Sequence, residues 1–280
     1  MNTLCLNGSI VDRPVKPFLK WPGGKRWIFP YLDKILAGRK FHRYYEPFLG
    51  GGAVFFHLLP TISFLSDINE DLINTYKQVR DIPLQLIQML QSLSVDKQTY
   101  LQIRGSDPTC KIERAVRFMY LNRAAFSGMY RVNRNGQFNV PYGGGLRNTN
   151  TLWADNLLVN AGKALQHATI TCGDFENQLR TAKQWDLVYC DPTYTTTHSN
   201  NGFIRYNESN FSWSDQQRLA ELCLELSKKG VTVIISNACH EEIACLYPTA
   251  SKHEISRRSL LCPLVPNRRL VKEYLLVLDP

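Results

Sequence analysis

The chain has 280 residues, of which 44% are hydrophobic and 20% charged, with a formal net charge of +9. This composition is that of a packed globular protein rather than of a disordered chain. No apolar run approaches the roughly 18 residues of a membrane-spanning helix, and the N-terminus lacks the pattern of a secretory signal. We therefore expect a cytoplasmic protein that does not enter a membrane, and the positive charge favours a polyanionic partner such as nucleic acid.

Short runs of residues typical of β-strands recur along the chain. Several of them end in glycine or aspartate before a helical pattern, as in an open α/β sheet. The predicted strands are residues 43–46, 61–66, 168–172, 186–190 and 231–236. Residues 272–278 predict a last strand, antiparallel and at the edge of the sheet. The predicted fold class is therefore α/β, with an open mixed sheet of Rossmann-like type.

Residues 72–165 lack this alternation of strands and helices and have a mostly helical pattern. Within them, residues 111–122 place apolar side chains such as Val116 and Met119 on one face and Arg114 and Arg117 on another. We predict that residues 72–165 form a domain inserted into the sheet domain. The predicted sheet domain comprises residues 1–71 and 166–280.

A glycine-rich turn follows the first predicted strand. Gly50, Gly51 and Gly52 let the backbone approach a ligand closely, and ligands of open α/β sheets lie at such strand ends. Asp67 ends the next strand, where a carboxylate can accept both hydroxyls of a ribose. The turn and the acid together predict a nucleoside cofactor, though not specifically NAD, because Phe55 stands where the third glycine of that fingerprint belongs.

Two further segments are candidates for the cofactor pocket. The sequence Lys20-Trp21-Pro22-Gly23-Gly24-Lys25 is not a phosphate-binding loop of the Walker type, because Leu19 and Arg26 occupy two required positions. We expect Trp21 and Lys25 to be exposed there and to hold an adenosyl ring or a carboxylate. After a later strand, Asp174 and Phe175 are expected to line the same pocket, with Phe175 packing on the ring.

The sequence Asp191-Pro192-Thr193-Tyr194 follows the apolar run at 187–190. The exocyclic amine of a base is a poor nucleophile because its lone pair is delocalised into the ring. The Asp191 carboxylate and the Pro192 carbonyl are suited to accept its two N–H groups, which aims the lone pair at an electrophilic methyl group. Tyr194 is suited to stack on the base, which must leave the duplex to reach such a pocket.

Taken together, these motifs resemble those of the Dam-like N6-adenine DNA methyltransferases of bacteria and phages, and they occur in that family's order over most of the chain. They are 20–25 (KWPGGK), 45–52 (YEPFLGGG), 67–69 (DIN), 130–133 (YRVN), 138–143 (FNVPYG) and 191–194 (DPTY). The resemblance implies that Trp21, Lys25, Asp67 and Asp191 contact S-adenosylmethionine. It also implies an inserted helical DNA-recognition domain, double-stranded DNA as the partner and GATC as the target. Phe48, Gly50 and Gly52 complete the predicted cofactor-binding set. The family usually has proline where this chain has Thr193, which leaves open whether activity is reduced.

A β-hairpin is predicted around Asn135-Gly136. A three-residue loop, 134–136, pairs Val132 with Phe138 and makes one face of the hairpin apolar. The other face then carries four polar side chains suited to reading base edges: Arg131, Asn133, Gln137 and Asn139. Three arginines of the helical region are expected to hold phosphates instead: Arg114, Arg117 and Arg123. Residues 195–211 are polar, and we expect them to close over an extruded base.

Two other functions remain open at this point. One is an amino methyltransferase acting on cytosine N4 or on RNA, and the other is a DNA-binding protein in which Thr193 marks a decayed site. The eight cysteines form no C-x-x-C pair and are expected to be reduced thiols, so no metal is expected. The expected oligomeric state is a monomer.

Overall fold

A computed structural model describes residues 15–133, 135–145, 153, 155–194, 211–258 and 270–280. The chain divides into two compact units. Unit 1 consists of Met1–Ala37, Leu49–Thr61 and Asp67–Gly173, and unit 2 of Gly38–Phe48, Ile62–Ser66 and Asp174–Pro280. The predicted boundaries at residues 72 and 165 are a different division and stay a prediction.

The described residues contain seven strands in a mixed sheet. The strands are β1 (Tyr44–Glu46), β2 (Ser63–Asp67), β3 (Ala168–Cys172), β4 (Leu187–Cys190), β5 (Thr232–Ala238), β6 (Ser251–Arg258) and β7 (Leu270–Leu278). In unit 2 their order is β2-β1-β4-β5-β7-β6, and β3 belongs to unit 1. Strands β2, β1, β4 and β5 are parallel, whereas β7 is antiparallel to β5 and to β6. The Rossmann-like α/β prediction is confirmed.

The last strand is antiparallel as predicted, but its predicted place at the sheet edge is wrong. Strand β7 lies between β5 and β6, and β6 forms the edge. The sequence of β6, SKHEISRR, was missed because of its charge. At its start, Ser251, Lys252, His253 and Glu254 are all exposed. An edge strand with charged side chains lacks the apolar alternation by which half-buried strands are recognised.

The core of unit 2 lies around β4 and β5. All four residues of β4 are buried, as expected for a parallel strand covered on both faces. Helix α9 (Trp213–Lys228) contributes Leu219, Cys223 and Leu226 to this core. It begins with a capping box, in which Ser212 and Asp215 each satisfy a main-chain N–H of the other. Unit 2 also contains two short helices, α8 (Phe175–Leu179) and α10 (Glu241–Leu246).

Unit 1 is mostly helical. Its α-helices are α1 (Phe29–Leu36), α2 (Ala53–Leu58), α3 (Glu70–Asp81), α4 (Pro83–Gln91), α5 (Lys97–Gly105), α6 (Lys111–Ala124) and α7 (Asp155–Leu165). Asn69 caps α3 and Asp96 caps α5, each accepting a main-chain N–H of the first turn. Helix α6 packs against α3 and buries more of its surface than the predicted single face, because Phe118 and Leu121 are buried with Val116 and Met119.

Within the described ranges, no helix is long and apolar enough to cross a membrane. In the same residues, no group of three or more histidine, cysteine, aspartate or glutamate side chains is arranged to hold a metal ion.

Candidate active site and DNA-recognition hairpin

The glycine turn of unit 1 has the backbone that its sequence predicts. Gly50 and Gly52 have φ values of 47° and 64°, in the left-handed region that favours glycine. A Cβ on Gly50 would lie 2.8 Å from the Trp21 ring, and one on Gly52 would lie 2.7 Å from the Tyr76 hydroxyl oxygen. Glycine is therefore required both for the turn and for the close approach of Trp21.

Asp67 is tied to this turn through main-chain N–H groups. Its Oδ2 accepts from Gly50 N over 3.0 Å, and its Oδ1 accepts from Asn69 N over 3.0 Å. Burial raises the pKa of Asp67, and the main-chain hydrogen bonds oppose that rise. Each carboxylate oxygen has lone pairs beyond the one its main-chain bond uses. The carboxylate thus has the acceptors that a ribose diol requires.

Trp21 lies in an aromatic stack rather than on an open surface. Its ring is 5.3 Å from that of Tyr130, at an interplanar angle of 20°, and 6.3 Å from that of Phe118. The Asn122 side chain holds the neighbouring main chain, because its Oδ1 accepts from Lys20 N (2.9 Å) and its Nδ2 donates to Lys20 O (2.7 Å). Helix α6 and the hairpin therefore fix the segment that carries Trp21.

Lys25 is buried, with 5% of its surface exposed, so the expectation of an exposed lysine is wrong. Its carbonyl accepts from Ile28 N over 3.0 Å and begins a 3-10 turn over Arg26–Ile28. A sequence pattern of glycine and charge does not reveal this burial.

In unit 2, Phe48 belongs to a cluster of three aromatic rings. Its ring centroid lies 5.5 Å from that of Phe175 and 5.4 Å from that of Phe211. The sequence predicts Phe48 and Phe175 as site residues but not Phe211. Phe211 lies 36 positions beyond Phe175, in the polar stretch that is expected to close over an extruded base. The rest of that stretch, 195–210, lies outside the described residues.

Asp174 is engaged with an arginine that sequence reasoning also missed. Its Oδ1 caps α8 by accepting from Glu176 N over 2.9 Å. Its Oδ2 pairs with Arg218 Nη2 over 2.7 Å, and the Arg218 guanidinium lies 4.5 Å from the centroid of the Phe175 ring. Asp174 and Arg218 thus hold the position of Phe175 at the start of α8.

The Asp191 carboxylate follows β4 and is fixed by the neighbouring strand. Its Oδ1 accepts from Ser236 Oγ over 2.7 Å. The Ser236 Oγ is in turn 3.0 Å from the Tyr189 hydroxyl oxygen. Pro192 is buried and Asp191 half-buried. The predicted acid therefore lies at the carboxyl end of a central parallel strand, where ligands of open α/β sheets bind.

The rest of the tetrapeptide is held by the same part of unit 2. Gln216 Nε2 donates to Thr193 O over 3.2 Å, and Asn237 Nδ2 donates to Gln216 Oε1 over 3.1 Å. The Tyr194 hydroxyl donates to Glu273 Oε2. None of these partners was selected from the sequence, because each lies more than 20 positions from the residue that it contacts.

The predicted hairpin register is confirmed. Val132 bridges Phe138 in antiparallel fashion, Gly136 has a φ of 74°, and Asn133 N donates to Gln137 O over 2.8 Å. Phe138 is buried, whereas its neighbours on the polar face are exposed. On that face, Arg131 Nε donates to Asn139 Oδ1 (2.8 Å) and Asn133 Nδ2 to Gln137 Oε1 (3.1 Å). The four candidate reading residues therefore form two cross-strand pairs. Arg134 lies outside the described residues.

The three arginines of α6 make bonds within the protein. Arg114 pairs with Asp71 over 2.6 Å and with Glu70 over 3.0 Å. Arg117 donates to the carbonyl oxygens of Ile103 and Arg104 at the end of α5. Arg123 lies over the Trp153 ring, and burial lowers its pKa. These contacts give each arginine a structural role, and their predicted phosphate contacts stay a prediction.

The comparison with protein families identifies the class. The family described as "D12 class N6 adenine-specific DNA methyltransferase" matches residues 21–260. The chain therefore belongs to this family of DNA methyltransferases, and the predicted family and enzyme class are confirmed.

Relatives match along most of their length. Type II methyltransferase M1.LlaDCHI of Lactococcus lactis subsp. cremoris is 38% identical over 252 residues, which cover 86% of this chain and 87% of that protein. Type II methyltransferase M.MjaIII of Methanocaldococcus jannaschii is 37% identical, covering 80% and 84%. A DNA adenine methylase of Salmonella typhimurium is 32% identical over 272 residues, covering 95% and 96%. The family implies S-adenosylmethionine as the methyl donor and DNA as the substrate.

Proposed function

We propose that this methyltransferase modifies the N6 amino group of an adenine that has left the duplex, within the sequence GATC. The observation that carries the proposal is the Asp191 carboxylate, held at the end of β4 by a 2.7 Å hydrogen bond from Ser236 and followed by Pro192 and Tyr194. An oriented acceptor at this place suits a base amine whose lone pair has to be freed from the ring.

In this proposal Asp67 holds the ribose of the methyl donor, because its two oxygens are fixed by Gly50 N and Asn69 N. The glycine turn follows β1 at the strand end where ligands of open α/β sheets bind. Phe48 and Phe175 are proposed to pack beside the adenine of the donor, and Trp21, Lys25 and Asp174 complete the proposed set. When bound, S-adenosylmethionine supplies a methyl group on a positively charged sulfur.

The chemistry of the protein is then chiefly positioning. Asp191 Oδ and the Pro192 carbonyl accept the two N6 hydrogens, and Tyr194 stacks on the base. The N6 nitrogen bonds to the methyl carbon as the carbon–sulfur bond breaks. One N6 proton passes along its hydrogen bond to Asp191 and on to water. No covalent enzyme intermediate is needed, and Cys190 is fully buried, as expected of a packing residue.

The hairpin is the proposed reader of the target sequence. Arg131 suits a guanine edge, and Asn133, Gln137 and Asn139 suit adenine edges. Their cross-strand pairs pre-organise the polar face, so that less side-chain entropy is lost on binding. A monomer suffices for these roles. The expected cytoplasmic location and the expected closure of residues 195–211 over the extruded base stay predictions.

One experiment tests the base, the site and the polymer together. The protein and S-adenosylmethionine labelled in the methyl group are incubated with duplex DNA of random sequence, and in parallel with RNA. The products are then digested to nucleosides. We expect the label in N6-methyldeoxyadenosine, at adenines within GATC. Asp191→Ala should lower the rate of methylation at least 100-fold, which corresponds to roughly 3 kcal/mol of activation free energy. Label in N4-methylcytosine, or in RNA alone, would overturn the proposal.

The hairpin proposal has its own test. Arg131→Ala is expected to lower the preference for the target over single-base variants by about 5- to 150-fold, because one good base contact contributes about 1–3 kcal/mol of discrimination. Arg39→Ala is the matched control, because it removes an equal charge from a surface arginine paired with Asp279. Undiminished preference in Arg131→Ala would contradict the hairpin as the reader.

A further inference from the structure

The register of β4 against β5 places Ser236 beside Asp191. In the parallel pair of β4 and β5, Cys190 is opposite Ile235, so that Asp191, one position further, falls beside Ser236. Side chains two positions apart on a strand point to the same face, which places Tyr189 and Asp191 together. The distances agree with this register: Ser236 Oγ is 2.7 Å from Asp191 Oδ1 and 3.0 Å from the Tyr189 hydroxyl oxygen.

The direction of both hydrogen bonds follows from the donors available. A serine hydroxyl has one hydrogen, and an ionised carboxylate only accepts, so Ser236 gives its hydrogen to Asp191. The Tyr189 hydroxyl must then donate to Ser236 Oγ. Ser236 is fully buried and Tyr189 is 2% exposed. The two hydroxyls therefore form a one-directional chain that ends on the carboxylate.

The orientation of the Asp191 carboxylate depends on such a bond, because the side-chain torsion about which the carboxylate rotates is weakly restrained. The terminal torsion of an aspartate is broad and roughly two-fold, so the side chain by itself does not fix the plane of its oxygens. A hydrogen bond to an ionised acceptor is among the stronger ones. Ser236 thus fixes the plane of the Asp191 carboxylate, and Tyr189 fixes the rotation of the Ser236 hydroxyl.

The geometry points to Ser236 as a positioning residue for methyl transfer, with Tyr189 acting through it. This inference rests on the proposed function, in which Asp191 accepts a hydrogen of the adenine amino group. Ser236 itself touches neither substrate in this scheme. Its contribution is to the rate of methyl transfer, because a misaligned acceptor aims the amine lone pair away from the methyl group.

The test uses the full chain, duplex DNA and S-adenosylmethionine in single-turnover methylation, so that product release does not mask the chemical step. Ser236→Ala is expected to lower the rate constant by about 10- to 100-fold, the range for loss of one charge-assisted hydrogen bond. The dissociation constants for DNA and for S-adenosylmethionine should change less than about 3-fold. Ser236→Thr keeps the hydroxyl and should restore most of the rate.

Tyr189→Phe is a second test, because it removes only the hydroxyl that contacts Ser236. It should slow methyl transfer several-fold when Ser236 is present and have no further effect in the Ser236→Ala background, since the chain is then already broken. If Ser236→Thr does not fold, the single and double variants with Tyr189→Phe carry the test. Tyr45→Phe is the matched control: it removes another buried tyrosine hydroxyl, bonded to the Thr181 carbonyl, and should leave the rate unchanged.

Asp191→Asn, measured alongside, separates the two levels of the proposal. If Asp191→Asn is inactive while Ser236→Ala keeps the parental rate, the positioning role is wrong and the catalytic role of Asp191 stands. Additive effects of Ser236→Ala and Tyr189→Phe on the rate would also show that Tyr189 does not act through Ser236. If Asp191→Asn is as active as the parent, the catalytic assignment fails, and the inference fails with it.

Discussion

Gln216 Nε2 donates a hydrogen bond to the Thr193 carbonyl oxygen over 3.2 Å and ties the third residue of the proposed catalytic tetrapeptide, 191–194, to α9. Asn237 supports this bond from β5, since its Nδ2 donates to Gln216 Oε1 and its own Oδ1 accepts from Ala238 N. Both amides are fully buried. Side chains of α9 and β5 therefore hold the main chain at Thr193, the position where this family usually has proline.

Thr193→Pro is expected to keep activity and to raise stability. Proline keeps the carbonyl that Gln216 contacts and restricts the unfolded chain, an effect of about 0.4–1 kcal/mol where the backbone is compatible. Thermal unfolding and the single-turnover rate, measured on the same preparation, check both parts. A large fall in either would mean that the Thr193 backbone or its N–H is needed as it stands.

Gln216→Leu is expected to destabilise the fold by about 1–3 kcal/mol, because the buried Asn237 amide loses its acceptor. It should also slow methyl transfer, because the Thr193 carbonyl is no longer held. Urea unfolding and single-turnover kinetics measure the two effects. Gln217→Leu, at the next position of α9, is the control for adding an apolar side chain to this helix, and equal losses in the two variants would count against a specific role.

The pH dependence of stability should carry a contribution from Asp67. Burial raises its folded-state pKa above the ordinary value of about 3.9. When the pKa of an acid is higher in the folded than in the unfolded protein, its protonated form adds to the free energy of unfolding. This contribution is fully present below the unfolded-state pKa and is lost as the pH rises through the folded-state pKa. The parent should therefore lose stability relative to Asp67→Asn across this window, as measured by urea unfolding at a series of pH values. A gain over the variant would contradict the sign.

The same Asp67→Asn variant should bind S-adenosylmethionine at least 10-fold more weakly at neutral pH, a loss of about 1.4 kcal/mol. An amide puts a donor where the carboxylate presents an acceptor to the ribose or to a main-chain N–H. Calorimetric titration with the methyl donor measures this change. Unchanged affinity would remove Asp67 from the proposed cofactor site.

Tyr130→Ala is expected to weaken binding of both the methyl donor and DNA. Tyr130 opens the hairpin, and its ring stacks on Trp21 at 5.3 Å. Aromatic pairs of this kind contribute about 0.5–1.5 kcal/mol beyond the area they bury, which corresponds to about 2- to 12-fold in each dissociation constant. Tyr130→Phe keeps the ring and should bind both normally. A loss confined to DNA would show that the stack does not serve the cofactor segment.

The sequence by itself determined those features that depend on neighbouring positions. The apolar run of β4, the glycine turn at Gly50 and Gly52, and the hairpin register of Val132 with Phe138 all follow from local periodicity and backbone sterics. The order of motifs likewise identified the family. The candidate acid, Asp191, was recognisable because it directly follows a buried strand.

Only the tertiary structure decided which side chains hold these local features in place. Three of these contacts join residues more than 40 positions apart, and they are made by Ser236, Glu273 and Arg218. The fourth, from Gln216 to Thr193, spans 23 positions. No local sequence pattern encodes such pairs. The edge strand β6 was missed for a related reason. Its charged sequence becomes a strand by pairing with β7, because main-chain hydrogen bonds across a sheet depend on a partner strand and not on the residue's own neighbours.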